Sequence, residues 1–368
     1  MRKNNDDPVR GPSSVGLIVV VGGYGAVGRV TAKTLGEWFP GQVVVAGRDL
    51  SRAERVARSS EGALKAMRVD VNDLQDVERM VYGAAIVVMC VERGNEAVAR
   101  TCLSQGVHYV DISASAPVLE SIERLDALAV SRAATAVLSV GVAPGLTNVL
   151  ARRCVERLPS AERVDINLFL GMGGDHGVDS VRWIVEHLTE PGDRHRSDVK
   201  HARVRLPEVG LRTVYPFPFS DQYTVSDVLG VRATTRICFD SALTTSAIFA
   251  LRAMGFFPLM RRLRAAPLLT SLLSRLHFGS DRFVVHALAS DAEGMVVSST
   301  AVGRETCDAT GIVAAYVARV LYTGTAPGGV LHIDQLVSAD LFLDELERHW
   351  ITVHHKEAEP AAQNRRGR

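Results

Sequence analysis

The sequence predicts an α/β chain, a Rossmann-type doubly wound parallel sheet followed by a second α+β domain for substrate and dimerisation. Three observations lead there. Six apolar runs rich in β-branched residues alternate with helix-forming stretches over residues 15–145, the connections are only a few residues long, and the alternation stops after Pro144. Strands joined by helices through short loops call for right-handed crossovers, and therefore for a parallel sheet covered on both faces.

Leu17 to Val21 is a continuous apolar run, as a strand buried on both faces requires. A glycine cluster follows, then a helix from about Ala26 to Trp38, stopped by Pro40-Gly41. Gln42 to Ala46 is the second strand, and Ser51 to Glu54 has capping-box spacing for the next helix. Leu64 to Val71 gives the third strand, Asn72 to Gln75 caps a helix, and Ala85 to Val91 gives the fourth strand. A helix from Asn95 to Ser104, a strand from His108 to Ile112, a long helix from Pro117 to Ala133 and a strand from Thr135 to Val142 complete the series.

The second domain, 146–305, reads differently. Arg163 to Leu170 is a strand, Val178 to Leu188 a helix, and residues 190–210 a polar loop. Thr234 to Phe239, Arg282 to Ser290 and Met295 to Val302 look like antiparallel strands, the last two joined by a turn at Asp291-Ala-Glu-Gly294. Residues 306–352 then supply helices, with a strand at Val330 to Ile333, that return to the first domain. Residues 1–14 and 353–368 read as loose tails.

Gly23-Tyr24-Gly25-Ala26-Val27-Gly28 is a G-x-G-x-x-G string, and it follows a strand and opens a helix, the context that gives the pattern meaning. Gly23 permits the tight turn, Gly25 clears space for a pyrophosphate, and Gly28 lets the helix close on the sheet. The helix N-terminus offers free N–H groups to the phosphates. This is the dinucleotide signature of a Rossmann domain.

The end of the second strand selects the dinucleotide. An NAD site usually places an acid there for the ribose hydroxyls. Here Ala46-Gly47-Arg48 stands instead, and Arg48 can hold a 2′-phosphate bidentately, so NADPH is favoured over NADH. A charge-assisted bond contributes about 1.5–3 kcal/mol, a preference of about 10- to 150-fold. Asp49 can serve as the acid if the loop shifts. Asp70 and Val71 are placed to edge the adenine, and Cys90 and Val91 to meet the cofactor, with Cys90 alternatively a small buried filler.

The charge balance, 42 basic against 41 acidic residues, leaves no electrostatic footprint for nucleic acid. Five widely spaced cysteines without a C-x-x-C pair argue against a disulfide framework or thiolate metal site and for a reducing, cytoplasmic setting. The early apolar run is too short for a signal segment. His354-His355 lacks the carboxylate partners of a metal site, so no metal is expected.

His108-Tyr-Val-Asp111 and Gly141-Val-Ala-Pro-Gly-Leu-Thr-Asn148 resemble the saccharopine dehydrogenase family, and Gly174-Asp175-His176-Gly177 extends the likeness to its saccharopine reductase and carboxynorspermidine dehydrogenase branch. The likeness is fullest over the nucleotide domain and returns at Cys307 to Gly311. The resemblance implies a pyridine-nucleotide oxidoreductase acting on a C=N or C–N bond of an amino-acid-derived compound, and a dimer formed through the second domain's sheet. Ala143 and Thr147-Asn148 depart from the saccharopine reductase pattern, which points away from saccharopine itself.

Hydride transfer to an imine is helped by protonating its nitrogen, so a proton source is needed. Asp175 and His176, in a glycine-rich loop before a helix, and Asp111, at the end of the fifth strand, are the candidate catalytic groups. His176 titrates near neutral pH; alternatively Asp175 caps the helix and His176 is a solvated loop residue. His108 reads as a packed strand-end residue rather than a base. Ser113, Thr147 and Asn148 are candidate substrate contacts, with Asn148 alternatively a helix cap, and Pro144 lies beside the cofactor. Arg182, Arg232, Arg236 and Arg304 are available for a substrate carboxylate, and no spacing singles one out.

The stretch 247–278 is apolar and basic. Arg252 interrupts it too early for a membrane span, leaving a lid or dimer contact, or a membrane-surface helix pair. A lid of this composition would suit a bulky apolar substrate. Two alternatives therefore stand beside imine reduction: an NADPH-dependent C=C or C=O reductase of a larger apolar compound, and a non-catalytic dinucleotide sensor.

Overall fold

The computed structural model describes residues 16–174, 177–189, 200–263 and 279–360. Strands β1 (Leu17–Val21), β2 (Val43–Gly47), β3 (Leu64–Arg68), β4 (Ala84–Met89), β5 (His108–Asp111) and β6 (Thr135–Leu138) alternate with helices α1 (Ala26–Trp38), α2 (Leu50–Arg58), α3 (Leu74–Tyr82) and α4 (Asn95–Ser104). Two short helices, α5 (Ala116–Glu123) and α6 (Asp126–Ser131), join β5 to β6. The single long helix expected over 117–133 is thus broken at Arg124-Leu125, where the chain turns and tucks Leu125 into the core.

Together with β13 (Gly329–His332), from near the end of the chain, all strands of this sheet run parallel, in the order β13-β6-β5-β4-β1-β2-β3. Ile18, Val19 and Val20 are fully buried because helices cover both faces, which is why the run could not alternate with polar residues. The order reverses between β1 and β4. A crevice opens at such a switch point beyond the carboxyl ends of the strands. Beyond β6, Val142–Leu146 form an irregular turn that leads into α7 (Thr147–Arg157).

The second domain is built on β7 (Arg163–Leu170), α8 (Gly177–Thr189), β8 (Ala202–Leu206), β9 (Gly210–Pro216), α9 (Asp221–Leu229), β10 (Arg232–Phe239), α10 (Ala242–Ala253), α11 (Phe256–Arg262), β11 (Arg282–Ser290) and β12 (Met295–Arg304). With β14 (Thr352–Pro360) added at one edge, its sheet has the order β14-β12-β11-β7-β10-β9-β8. Two expectations are corrected here. β10 runs parallel to β7, not antiparallel, and part of the stretch expected as polar loop forms the β8–β9 hairpin. Period-2 alternation looks the same in either strand direction, so only the long connection through α8 and the hairpin decides it. Helix α7 packs on the face carrying Ile166, Val285 and Ala301.

The chain then returns through α12 (Thr306–Thr323), β13 (Gly329–His332), α13 (Ile333–Leu336) and α14 (Ala339–Glu347). β13 becomes the seventh strand of the first sheet, beside β6. Residues 352–360, expected to be loose, form β14 (Thr352–Pro360) against β12, an exposed edge strand rich in charge. Among the described residues no helix is long and apolar enough to cross a membrane. In the 247–278 stretch, Phe257 is buried in the core while Leu259 and Leu263 are half or more exposed; residues 264–278 lie outside the described residues.

Candidate functional site

The turn between β1 and α1 is shaped by contacts that only glycine tolerates. A Cβ on Gly28 would lie 2.4 Å from the Gly22 carbonyl oxygen, so the helix can close on the turn only without one. Gly25, by contrast, is exposed on the open side. It begins α1 with no side-chain cap, and no acid stands in the first turn. The leading N–H groups and the positive end of the helix dipole are therefore left for an anion.

At the end of β2 the Tyr24 ring lies over Gly47; a Cβ there would be 2.5 Å from the ring. The Tyr24 hydroxyl accepts the Asp49 N–H at 3.3 Å. The Asp49 carboxylate accepts the Arg52 N–H at 3.1 Å as the N-cap of α2. The Asp49 carboxylate is thus engaged as the cap of its own helix. Arg48 is exposed, and no carboxylate pairs with it among the described residues.

Val91 and Cys90 reach the same turn. Val91 Cγ1 would touch a Cβ on Gly22 at 2.5 Å, and the Cys90 N–H donates to Val21 O at 2.9 Å. Burial pushes the Cys90 thiol up to about 12, consistent with a packed filler. Asp70 shapes its own turn: its carboxylate accepts the Asn72 N–H at 3.1 Å and the Asn72 side-chain amide at 3.0 Å. Val71 packs into the second core cluster beside Gly94.

Several expected substrate-facing residues turn inward. Asp111 is wholly buried and accepts from Tyr109 Oη at 2.5 Å, Asn95 Nδ2 at 2.9 Å and the Ser113 N–H at 2.8 Å. Burial raises its carboxyl above the ordinary value although all three bonds favour the anion. Its carboxylate, with no exposure, is spent on bonds inside the chain, where it holds Tyr109, Asn95 and the Ser113 backbone in place. It orders the loop in which the nearly buried Ser113 donates to Glu92 Oε1 at 3.0 Å.

Thr147 and Asn148 are likewise wholly buried. Asn148 accepts the Gly145 N–H at 3.0 Å and donates to Thr224 Oγ1 at 2.9 Å, and so braces the Pro144-Gly145 turn. Pro144 is buried beneath that turn. His108 accepts the Thr135 N–H at 3.0 Å and burial lowers its pKa, in keeping with a packed strand-end residue. Arg236 is paired with Asp165 at 2.7 Å and Arg304 with Asp281 at 3.5 Å.

Asp175 and His176 lie outside the described residues. The loop leading to them does not. A Cβ on Gly174 would lie 3.1 Å from Glu305 Oε2, at the start of α12, and five residues further along the chain the Thr310 methyl would meet one on Gly141 at 3.2 Å. Helix α12 therefore ties the 171–174 loop of the second domain to the end of β6. Asp281, Arg304, Glu305, Asp308, His349 and Trp350 line a cleft beside this junction.

Sequence reasoning missed Asn95, Glu92, Asp221 and Thr224. Asn95 stood in plain view just after the fourth strand, where a polar residue opening a helix at the switch point was a usable signal. Asp221, which accepts from Thr235 Oγ1 at 2.6 Å, carried no local signal, because its partners come from other elements.

The parallel sheet, the uncapped glycine turn at its switch point and the strand-end arginine define an NAD(P)-dependent oxidoreductase. Residues 18–156 match the family described as the saccharopine dehydrogenase NADP binding domain. The nucleotide-binding domain of this chain is similar to that family's NADP-binding domain, which supports NADP(H) as its dinucleotide. Among solved structures, the apo, histidine-tagged saccharopine dehydrogenase (L-Glu forming) from Saccharomyces cerevisiae superposes with a TM-score of 0.67 at 14% identity, over 93% of this chain and 100% of that one. At that identity the likeness is one of fold, and it extends through both domains. Serine dehydrogenase from Escherichia coli overlaps 33% of this chain and 80% of its own, at 12% identity and a TM-score of 0.28.

Proposed function

We propose that this chain is an NADPH-dependent reductase of an imine formed from an amino-acid-derived compound, operating in the cytoplasm. The observation that carries the reading is the pairing of an uncapped glycine turn with Arg48 while Asp49 caps α2. The family of the nucleotide domain and the two-domain likeness to a saccharopine dehydrogenase support the choice of a C=N bond. Bound NADPH supplies a hydride to the imine carbon. The chain's part is to hold the diphosphate on the α1 amides, grip the 2′-phosphate with Arg48, orient the substrate in the cleft and deliver a proton to the nitrogen.

His176 is the donor in this reading. Exchange of His176→Ala should lower turnover on the order of 100-fold, the scale of general acid catalysis, and leave NADPH affinity unchanged. Unaltered turnover would dismiss the assignment.

A second reading is favoured by the exposed apolar side chains of α10 and α11, Leu243, Met254 and Leu259 among them. They suit a lid over a larger apolar compound reduced at C=C or C=O. The two readings part when the carbonyl component is offered without an amine: only the second predicts consumption of NADPH. A sensor without catalysis would bind NADPH and consume none with any substrate pair.

Dimerisation through the second sheet belongs with the proposal. The face turned away from α7 carries Asp165, Asn167, Arg236, His286 and Thr300, a polar set already close-packed within the sheet. Sedimentation at micromolar concentration should report twice the chain mass, and a monomer at all concentrations would remove the dimer.

A further inference from the structure

Arg52 lies one helical turn beyond Arg48, on the first turn of α2 and exposed to solvent. Its guanidinium carbon stands 4.5 Å above the centre of the Tyr24 ring. Tyr24 is the first variable residue of the glycine turn, and its ring is fixed from two sides. Gly47 lets it lie flat against the end of β2, and its hydroxyl takes the Asp49 N–H at 3.3 Å. A guanidinium stacked on a fixed ring loses little further freedom when it grips an anion, so the stack preorganises it. Nearby acids are otherwise engaged: Asp49 caps α2 and Glu54 pairs with Arg58 at 3.9 Å. Among the described residues neither Arg48 nor Arg52 has a carboxylate partner.

Two exposed arginines without a carboxylate partner among the described residues therefore follow the end of β2, Arg48 just before the α2 cap and Arg52 in the first turn of α2. From this we infer that Arg52, held by Tyr24, is the second arm of a clamp on the ribose 2′-phosphate, and that the Tyr24–Arg52 stack sets the preference for NADP(H) together with Arg48. The inference rests on the NADPH reading above. Tyr24 acts through Arg52 and is a positioning residue; Arg52 touches the cofactor.

The test is titration of the full chain with NADPH and with NADH, following nicotinamide fluorescence, for wild type, Arg52→Ala, Arg48→Ala and Tyr24→Leu. Arg52→Ala should weaken NADPH binding about 10-fold or more, the loss of one charge-assisted contact, and leave NADH affinity where it was. Tyr24→Leu should weaken NADPH binding less, and adding it to Arg52→Ala should cost little more, because the ring works through the guanidinium. Unchanged NADH binding in every variant also reports that the fold is intact.

Normal NADPH affinity in Arg52→Ala, with Arg48→Ala impaired, overturns the inference and leaves the NADPH reading standing. Equal losses for both dinucleotides overturn it too, since the residue would then serve adenine or the fold. Binding of neither dinucleotide by the wild-type chain overturns the NADPH reading itself.

Discussion

Asp111 gathers three buried donors, and removing the carboxylate leaves the Ser113 N–H stranded while Asn95 Nδ2 and Tyr109 Oη keep only the Val91 and Asn95 carbonyls, at 3.1 Å and 3.3 Å. Exchange of Asp111→Ala should therefore cost about 3 kcal/mol in chemical denaturation, well above the loss for a typical exposed carboxylate. Asp221 makes a different prediction. Burial outweighs its bonds from Thr235, Thr147 and the Gln222 backbone and pushes its carboxyl up to about 6 from 3.8. Between those two values the folded chain holds a proton that the unfolded chain has released, so stability falls as pH rises through the window. The loss reaches about 3 kcal/mol by pH 7, and Asp221→Asn should abolish that slope in denaturation midpoints measured from pH 4 upward. The sequence placed Asp111 correctly at the end of the fifth strand. It could not reveal that the lone pairs are taken by Asn95 and Tyr109, because hydrogen-bond partners across a fold leave no mark on spacing. Asn148 was open between substrate and cap for the same reason. His176 remains the candidate donor on chemistry alone.

Helix α12 carries the second domain back to the first by fitting against α1 with no room to spare. A Cβ on Gly311 would lie 2.7 Å from Val30 Cβ and 3.0 Å from the Val27 carbonyl oxygen, and the Gly311 carbonyl accepts the Thr31 hydroxyl at 3.2 Å. Exchange of Gly311→Ala should push the helices apart at a cost of about 1–3 kcal/mol. Because Val27 belongs to the first turn of α1, the same variant should also bind NADPH more weakly in a fluorescence titration; full affinity would show that the turn does not depend on α12. The strand–helix alternation of the first domain was readable because each buried strand is a short unbroken apolar run between glycine or proline stops. The β8–β9 hairpin was not, since Ala202–Leu206 alternates with arginines at a sheet edge and resembles polar loop. β14 was hidden in the same way: its residues are almost all exposed and mostly polar, and only pairing with β12 makes them a strand.

Across the whole molecule, one sheet presents a phosphate-binding turn and the other closes the space beyond it, with α12 and β13 locking the two together. That arrangement is what the alternation, the glycine string and the family likeness implied together, and it sets where a substrate must lie. What the substrate is depends on which groups meet in the cleft between Gly141, Gly174 and the start of α12, a junction assembled from three distant stretches of chain. The most direct test follows NADPH absorbance while amino acids and aldehydes or keto acids are offered singly and in pairs. The account predicts oxidation of NADPH only when an amine and a carbonyl compound are present together, with NADH a poor substitute. Oxidation with the carbonyl compound alone, or none with any pair, would contradict it.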